Sequence, residues 1–519
     1  IIKTFRVLFH YIGNSQRFPA TVWHINFHVS GNEVGNFIKI DFFRHFLTFF
    51  VLIIFPYDSI NFFKVDLISI LMKKKSLTAN LVEGLNKEIS SEHRYRASLH
   101  LLDWIGCAFL GSISKVGKIF IEFSKNSVNG NANIINGNLY PPEITSFING
   151  ALGNIYEMDD IHRTSILHPG PVVIPAALAV AQATSSNSNV LLDAIIFGYE
   201  VMIKLGESIG KEHYKFFHNT STCGSFGSGI AVGKVLHLND DQLINVLGNC
   251  GSVMGGLWQM RNEDVMTKQF HNAHAARTGF TSAILAKNGL TGPKFILEGP
   301  QGVYSAIARD SDLNKIILNE CTNWKIFDTS FKPWAACRHA HPVIDATLKL
   351  PKKISFKDIK NIEIKTYKDA VKFCDRVTPK NVIDAKFSLQ HVFATTLIDG
   401  PPSISSFDEK NYNRSDISNL RKKIGIGVSE KIEKSYPEHY GAELEVFLNN
   451  GDNIKVFQKD ALGDPGNPIS EKDIINKFIN LMKTAGISIS KINNIIECVL
   501  GLSKGGELKK LERLLVNNE

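Results

Sequence analysis

From Ser91 to about residue 289, apolar side chains recur every three or four positions, and this helical period limits the possible folds more than any other feature of the chain. Ala97, Leu101, Trp104, Ile105 and Ala108 begin it, with Arg94, Arg96 and Asp103 between them. Runs at 171–184 and 189–209 continue it, the second through Leu191, Leu192, Ala194, Ile195, Ile196, Tyr199, Val201, Met202 and Leu205. Residues 224–235, 241–260 and 271–289 have the same character and carry Gly, Ala and Ser, which allow helices to pack closely. Near residue 330 the period changes. Ile362 to Tyr367 alternates apolar and polar like a half-buried strand, and 442–456 reads as a hairpin with its tip at Asn449-Asn450-Gly451. Helical spacing returns in the tail through Ile474, Ile475, Phe478, Ile479 and Leu481. The prediction is a mainly α protein with an α+β second domain: a helical domain made from 72–329 and 469–519, and an α+β lid domain at 330–468 inserted between them.

Residues 1–71 stand apart. They hold 13 of the 34 phenylalanines and show no sustained helical or strand period, and the first methionine is Met72 in Met-Lys-Lys-Lys-Ser. The run Phe46 to Phe55 is half the ~20 residues needed to cross a bilayer. The expectation is upstream translation or disorder before a start at Met72, the rival being a membrane-surface anchor. Net charge is +8 with the lysines dispersed, which fits a solvated surface and an anionic substrate better than a nucleic-acid stripe. Seven cysteines without a C-x-x-C pair fit free thiols in a reducing compartment, hence a cytoplasmic location. The phosphate-binding, dinucleotide, nucleophile-elbow and zincin motifs are all missing, which weighs against those chemistries.

Four polar clusters remain. Glu157-Met-Asp159-Asp160-Ile-His162, followed by His168-Pro-Gly170, sets three carboxylates and two imidazoles ahead of an apolar helix. A carboxylate beside an imidazole orients its tautomer, and a helix N-terminus favours an anion; the bland alternative is a capping loop. His213 to Thr220 leads into a small-residue helix, with His218 a candidate base or a half-buried surface histidine. Lys268 and His271 share a helix face, as a carboxylate clamp or as a solvated edge. Lys332-Pro-Trp334-Ala-Ala-Cys337-Arg338-His339-Ala-His341 lies at the proposed domain junction, and two histidines one residue apart are weak grounds for a metal.

In order and spacing these stretches resemble the MmgE/PrpD family of 2-methylcitrate dehydratases, cis-aconitate decarboxylases and iminodisuccinate epimerases, over about residues 77–515. The most specific piece is His168-Pro-Gly-Pro-Val-Val-Ile-Pro-Ala-Ala-Leu-Ala-Val-Ala with Gly198-Tyr199-Glu200-Val201; Thr291-Gly292-Pro293 with Glu298-Gly299, and Lys332-Pro333-Trp334 with Cys337-Arg338, extend it. The resemblance implies a cleft site between the two domains, no metal or organic cofactor, a small di- or tricarboxylate substrate and a homodimer, with no nucleic-acid or membrane partner. His168, His218 and Lys268 match family active-site positions, and Glu157 stands where aspartate is common. Ile161 replaces a threonine, Trp334 a tyrosine and Ala273 a glycine.

The chemistry this implies is proton transfer at a carbon next to a carboxylate, with elimination as in 2-methylcitrate dehydratases ranked first, epimerisation second and decarboxylation third. His168 and His218 are expected as base and acid, with Glu157 or Asp160 orienting one of them. Lys268 is expected to hold a substrate carboxylate with help from His271, Arg338, Trp334 and His162. The competing classes are a non-catalytic carboxylate-binding protein and a metal-dependent hydrolase.

Overall fold

The computed structural model describes residues 75–263, 265–317 and 323–516, together with the backbone of three short strands nearer the N-terminus. The chain divides into two compact units, Ile1–Lys75 and Ser76–Glu519. In the first, Leu8–His10 (β1), Val22–Asn26 (β2) and Ile38–Asp41 (β3) form an antiparallel sheet in the order β1-β2-β3. Each strand is too short to register as a sustained period in the sequence. The apolar run Phe46 to Phe55 lies outside the described residues.

After the short helix Leu77–Glu83, the helical layer of the second unit continues with Ser91–Ile113 (α1), whose start is a capping box between Ser90 and His93. It is buried without a break from Ala97 to Ser112. Ala132–Asn133 (β4) pairs with Leu139–Tyr140 (β5) ahead of Pro142–Leu152 (α2). Gly170–Ala183 (α3) opens with Pro171 near its first position, where no amide hydrogen is needed. It is apolar all round because it is enclosed all round, from Gly170 to Gln182. Ser188–Ser208 (α4), Asn219–Val235 (α5) and Thr267–Lys287 (α7) pack around it, and Asp240–Val253 (α6) packs on α5 and α7.

Glycines set the spacing of these helices. A Cβ at Gly279 of α7 would stand 2.0 Å from Ser228 Oγ and 2.3 Å from Gly229 N on α5. The Gly229 amide and the Ser225 carbonyl, 2.6 Å away, are backbone and cannot turn aside, so Gly279→Ala is expected to destabilise the protein by about 1–3 kcal/mol or more. Urea unfolding checks this, and unchanged stability would mean that the two helices can part without cost.

The run 241–260 was predicted as one helix and is two elements. α6 ends at Val253, and a 3-10 turn follows at Trp258–Asn262. The break falls at Gly256, whose φ of 128° lies beyond the reach of most side chains.

A four-stranded sheet follows the helices. Ile161–His162 (β6) pairs with Thr329–Ser330 (β7), and this two-residue ribbon ties the acidic segment to the start of the sheet region. Beyond it come His341–Leu348 (α8), Ile359–Thr366 (β8), Leu389–Asp399 (α9), Ile424–Val428 (β9), Ala442–Leu448 (β10) and Asn453–Gln458 (β11). The sheet order is β11-β10-β8-β9, antiparallel except for β8 with β9. Ile362, Ile364, Leu444 and Val446 alternate onto the face covered by Ile344, Val392 and Phe393 of α8 and α9. The tail helices Glu471–Thr484 (α10) and Ile489–Leu502 (α11) pack on α1, with Phe478 against Gly106. Leu508–Leu515 (α12) closes the layer through Leu508, Leu511 and Leu515. Two large cores result, one among the helices and one between sheet and helices. Met158, Cys107, Leu110 and Leu481 belong to the second, so the segment around Met158 lies on the seam. No single described helix is long and apolar enough to cross a membrane.

Candidate active site

His168 sits two residues before α3, in the turn that joins it to β6. Its backbone amide donates to Thr220 Oγ1 at 3.1 Å, and its Nδ1 lies 3.0 Å from the Asp160 carbonyl oxygen and 2.8 Å from Asp159 Oδ2. Both neighbours accept, so Nδ1 carries the hydrogen, and Nε2 holds a lone pair whenever the ring is neutral. Asp159 is steadied by Asn154 Nδ2 at 2.6 Å. Burial would raise the Asp159 carboxyl, but the His168 ring and Lys332 outweigh it and hold the carboxyl low. Asp159 is therefore the carboxylate that orients His168, a role the sequence reading gave to Glu157 or Asp160.

Asp160 faces the other way. Its Oδ2 accepts from Tyr199 Oη at 2.6 Å and lies 2.7 Å from His100 Nδ1, while Oδ1 accepts from the Gly170 amide at 2.8 Å. Burial pushes this carboxyl up to about 6 despite the Tyr199 bond. The group anchors α3 to α1 and α4, and only its backbone oxygen reaches His168. The assignment of Asp160 as a catalytic carboxylate is corrected accordingly.

Glu157 occupies the left-handed region with φ of 59°, a conformation that costs a bulky residue energy and that collects at functional sites. Its carboxylate forms a close ion pair with Lys268 of α7 and lies 3.6 Å from Lys332 Nζ. Burial acts to raise this carboxyl, but Lys268, Lys332 and His168 together hold it well below the usual range. Lys268 is itself held above its ordinary value, because Glu157 overcomes the effect of burial. Lys332 is lowered by burial, and its Nζ has no hydrogen-bond partner among the described residues.

His218 caps α5 and lies across from His271 on α7, with the two Nδ1 atoms 3.3 Å apart. Its amide donates to Gly256 O at 2.9 Å, and the Trp258 ring lies 4.5 Å away. A side chain at Gly256 would strike Ser221 at 2.6 Å, so glycine there lets the loop close on the histidine. Burial first, then Lys268 and the neighbouring histidines, drives the His218 ring well below its ordinary value. Burial, His274 and Lys268 lower His271 to about 4. Burial thus favours the neutral form of both rings.

The remaining sequence candidates lie elsewhere. His162 bonds Ser165 Oγ at 2.8 Å within its own turn and does not join the cluster. Arg338 forms a buried, close ion pair with Asp464 and donates to Leu462 O at 3.2 Å, so its charge is already matched. Trp334 Nε1 donates to Asp345 Oδ1 at 2.9 Å. His339 bonds Tyr367 Oη at 2.7 Å, and His341 meets the Ala336 carbonyl at 3.2 Å, so these two histidines part rather than converge. The structure thus brings together His168, His218, His271, Lys268 and Glu157 and leaves Asp160, His162, Arg338 and Trp334 in structural contacts. It adds Asp159, Lys332 and Lys386. Asp159 and Lys332 stood inside the stretches singled out by sequence, and Lys386 stood in none.

Buried lysines beside neutral histidines, on a helical layer that meets a small sheet, suit the capture of carboxylates and the movement of a proton. Residues 77–316 match the MmgE/PrpD N-terminal domain and residues 334–501 the MmgE/PrpD C-terminal domain, and the chain belongs to this family. It is similar to the cis-aconitate decarboxylase of Homo sapiens, at 27% identity over 468 residues, covering 86% of this chain and 95% of the relative. It is also similar to the cis-aconitate decarboxylase of Mus musculus, at 27% identity over 431 residues, covering 78% of this chain and 87% of the relative. A probable 2-methylcitrate dehydratase of Saccharomyces cerevisiae is 23% identical over 314 residues, covering 56% of this chain and 59% of that protein.

Proposed function

We propose that the protein is a lyase for a small di- or tricarboxylate, working by proton transfer at a carbon next to a carboxylate, with no metal or organic cofactor. The observation that carries this is His168, its Nδ1 fixed by Asp159 and the Asp160 carbonyl, beside the buried lysines 268 and 332. The lysines stabilise the negative charge that builds on the substrate, an effect strengthened by the low local dielectric. His218 and His271, whose Nδ1 atoms lie 3.3 Å apart, are the second proton carrier.

Decarboxylation of a cis-aconitate-like acid is the preferred reading, because two relatives aligned over most of the chain bear that activity in their names. In that reaction a C–C bond breaks, carbon dioxide leaves, and the electron pair left on carbon takes a proton from a histidine. Dehydration of a 2-methylcitrate-like acid is the second reading, resting on the shorter match; there a histidine removes the proton and hydroxide leaves protonated. Ile161 and Trp334 have no hydroxyl, and whether a site offers such a hydrogen-bonding group helps decide which substrate it prefers. A homodimer belongs to the same proposal, checked by sedimentation velocity. Incubation with cis-aconitate, citrate and 2-methylcitrate, followed by mass spectrometry, separates the reactions: loss of carbon dioxide supports the first reading and loss of water the second. Conversion of none of the three acids would refute both.

A further inference from the structure

Lys386 ends the short helix Val382–Lys386 in the sheet region and is 5% exposed. Its ammonium donates to the carbonyl of Tyr156 at 3.1 Å and lies 5.0 Å from the centre of the Tyr156 ring. That carbonyl belongs to the residue just before Glu157, so the charge stands at the edge of the carboxylate-lysine cluster. The backbone makes the link from the other side as well, since the Lys386 carbonyl accepts from the Cys337 amide at 3.0 Å. Cys337 lies in the stretch that begins with Lys332, so this bond ties the backbone at Lys386 to that stretch.

A buried cation is normally paired with a carboxylate. Lys268 has Glu157, Lys332 shares that same carboxylate at 3.6 Å, and Lys386 has a carbonyl and a ring face. Three ammonium groups thus stand around the Tyr156–Glu157 turn, within electrostatic reach of Glu157, while Asp159, the other carboxylate acting on Lys268 and Lys332, is already matched to His168. From this surplus of charge we infer that Lys386 is a substrate-binding residue, supplying from the sheet side the cation that holds a second carboxylate of the substrate. The inference rests on the proposed carboxylate chemistry and narrows it: the substrate carries at least two carboxylates, one toward Lys268 and Lys332 and another at Lys386.

The charged groups that act on Lys386 are Glu157, Lys332, Lys268 and Asp408. Burial dominates, and the lysine is lowered to about 8. Affinity for a polycarboxylate is therefore expected to fall as the pH rises through about 8, where this ammonium loses its proton.

The test is calorimetric titration of the full chain with tricarballylate, an unreactive tricarboxylate, across pH 6.5 to 9.5. Lys386→Met is expected to weaken binding by about tenfold or more, the worth of one charge-assisted bond, and to lose the affinity change near pH 8. Lys386→Arg is expected to retain binding at alkaline pH, because guanidinium stays charged. Methionine strands no carboxylate partner, and thermal melting of both variants checks that they fold. Wild-type affinity and pH dependence in Lys386→Met would overturn the inference while leaving the proposed function standing. Failure of the wild-type protein to bind any di- or tricarboxylate would sink the proposed function and this inference with it.

Discussion

Replacing His168 with alanine is expected to lower kcat by about 10²–10⁴-fold, the usual contribution of one acid–base group, and to leave a folded protein. The ring sits at the edge of a turn whose geometry is held by other groups. The His168 amide is anchored on Thr220, and the Asp160 side chain is bound by Tyr199 and Gly170. Asp159 loses its ring partner in this variant but keeps Asn154. Asp159→Asn is expected to give a smaller loss, because an amide still accepts from Nδ1 but stabilises the protonated ring less well. Steady-state kinetics on the substrate found by the three-acid incubation, with circular dichroism of each variant, measures both. Near-normal turnover in His168→Ala would remove this histidine from the chemistry.

The second large effect is on stability. Arg338→Met is expected to cost about 3–5 kcal/mol, because it leaves the Asp464 carboxylate buried without its cation. Asp464 is 0% exposed and, among the described residues, keeps only the Ser330 hydroxyl at 2.6 Å as a side-chain donor. The substitution also frees the Leu462 carbonyl and loosens the segment that closes over Phe331. Urea denaturation measures the difference, and the double variant Arg338→Met with Asp464→Leu should recover much of it, since an apolar pair replaces a buried ion pair at little cost. The sequence reading placed Arg338 on the substrate. If Arg338→Met keeps wild-type stability and raises KM instead, that reading is right and the structural role is wrong.

The architecture was legible because its signals are local. The 3.6-residue period of α10 and α11 and the alternation of β8 and β10 follow directly from which faces are covered. The site was half legible. His168, His218 and Lys268 stand in stretches dense in titratable groups, so composition alone drew attention to them. The roles of the three carboxylates were hidden, because adjacent residues in an irregular turn point in directions that no period encodes. Glu157 turns through a positive φ toward the lysines, Asp159 faces the imidazole, and Asp160 faces away toward Tyr199. Arg338 looked available because its partner Asp464 lies 126 positions further on. Lys386 was invisible for the same reason: it stands in Asp384-Ala-Lys-Phe-Ser, which carries no signal of its own, and only the fold brings it to Tyr156.

The central claim is that His168 moves a proton at a carbon next to a substrate carboxylate. Proton NMR in deuterated water, with the wild-type protein and the acid it converts, tests this most directly. One deuterium is expected at that carbon in the product of decarboxylation, or in substrate recovered during dehydration, with its near disappearance in His168→Ala. Decarboxylation without deuterium at that carbon, or equal incorporation in the variant, would contradict it.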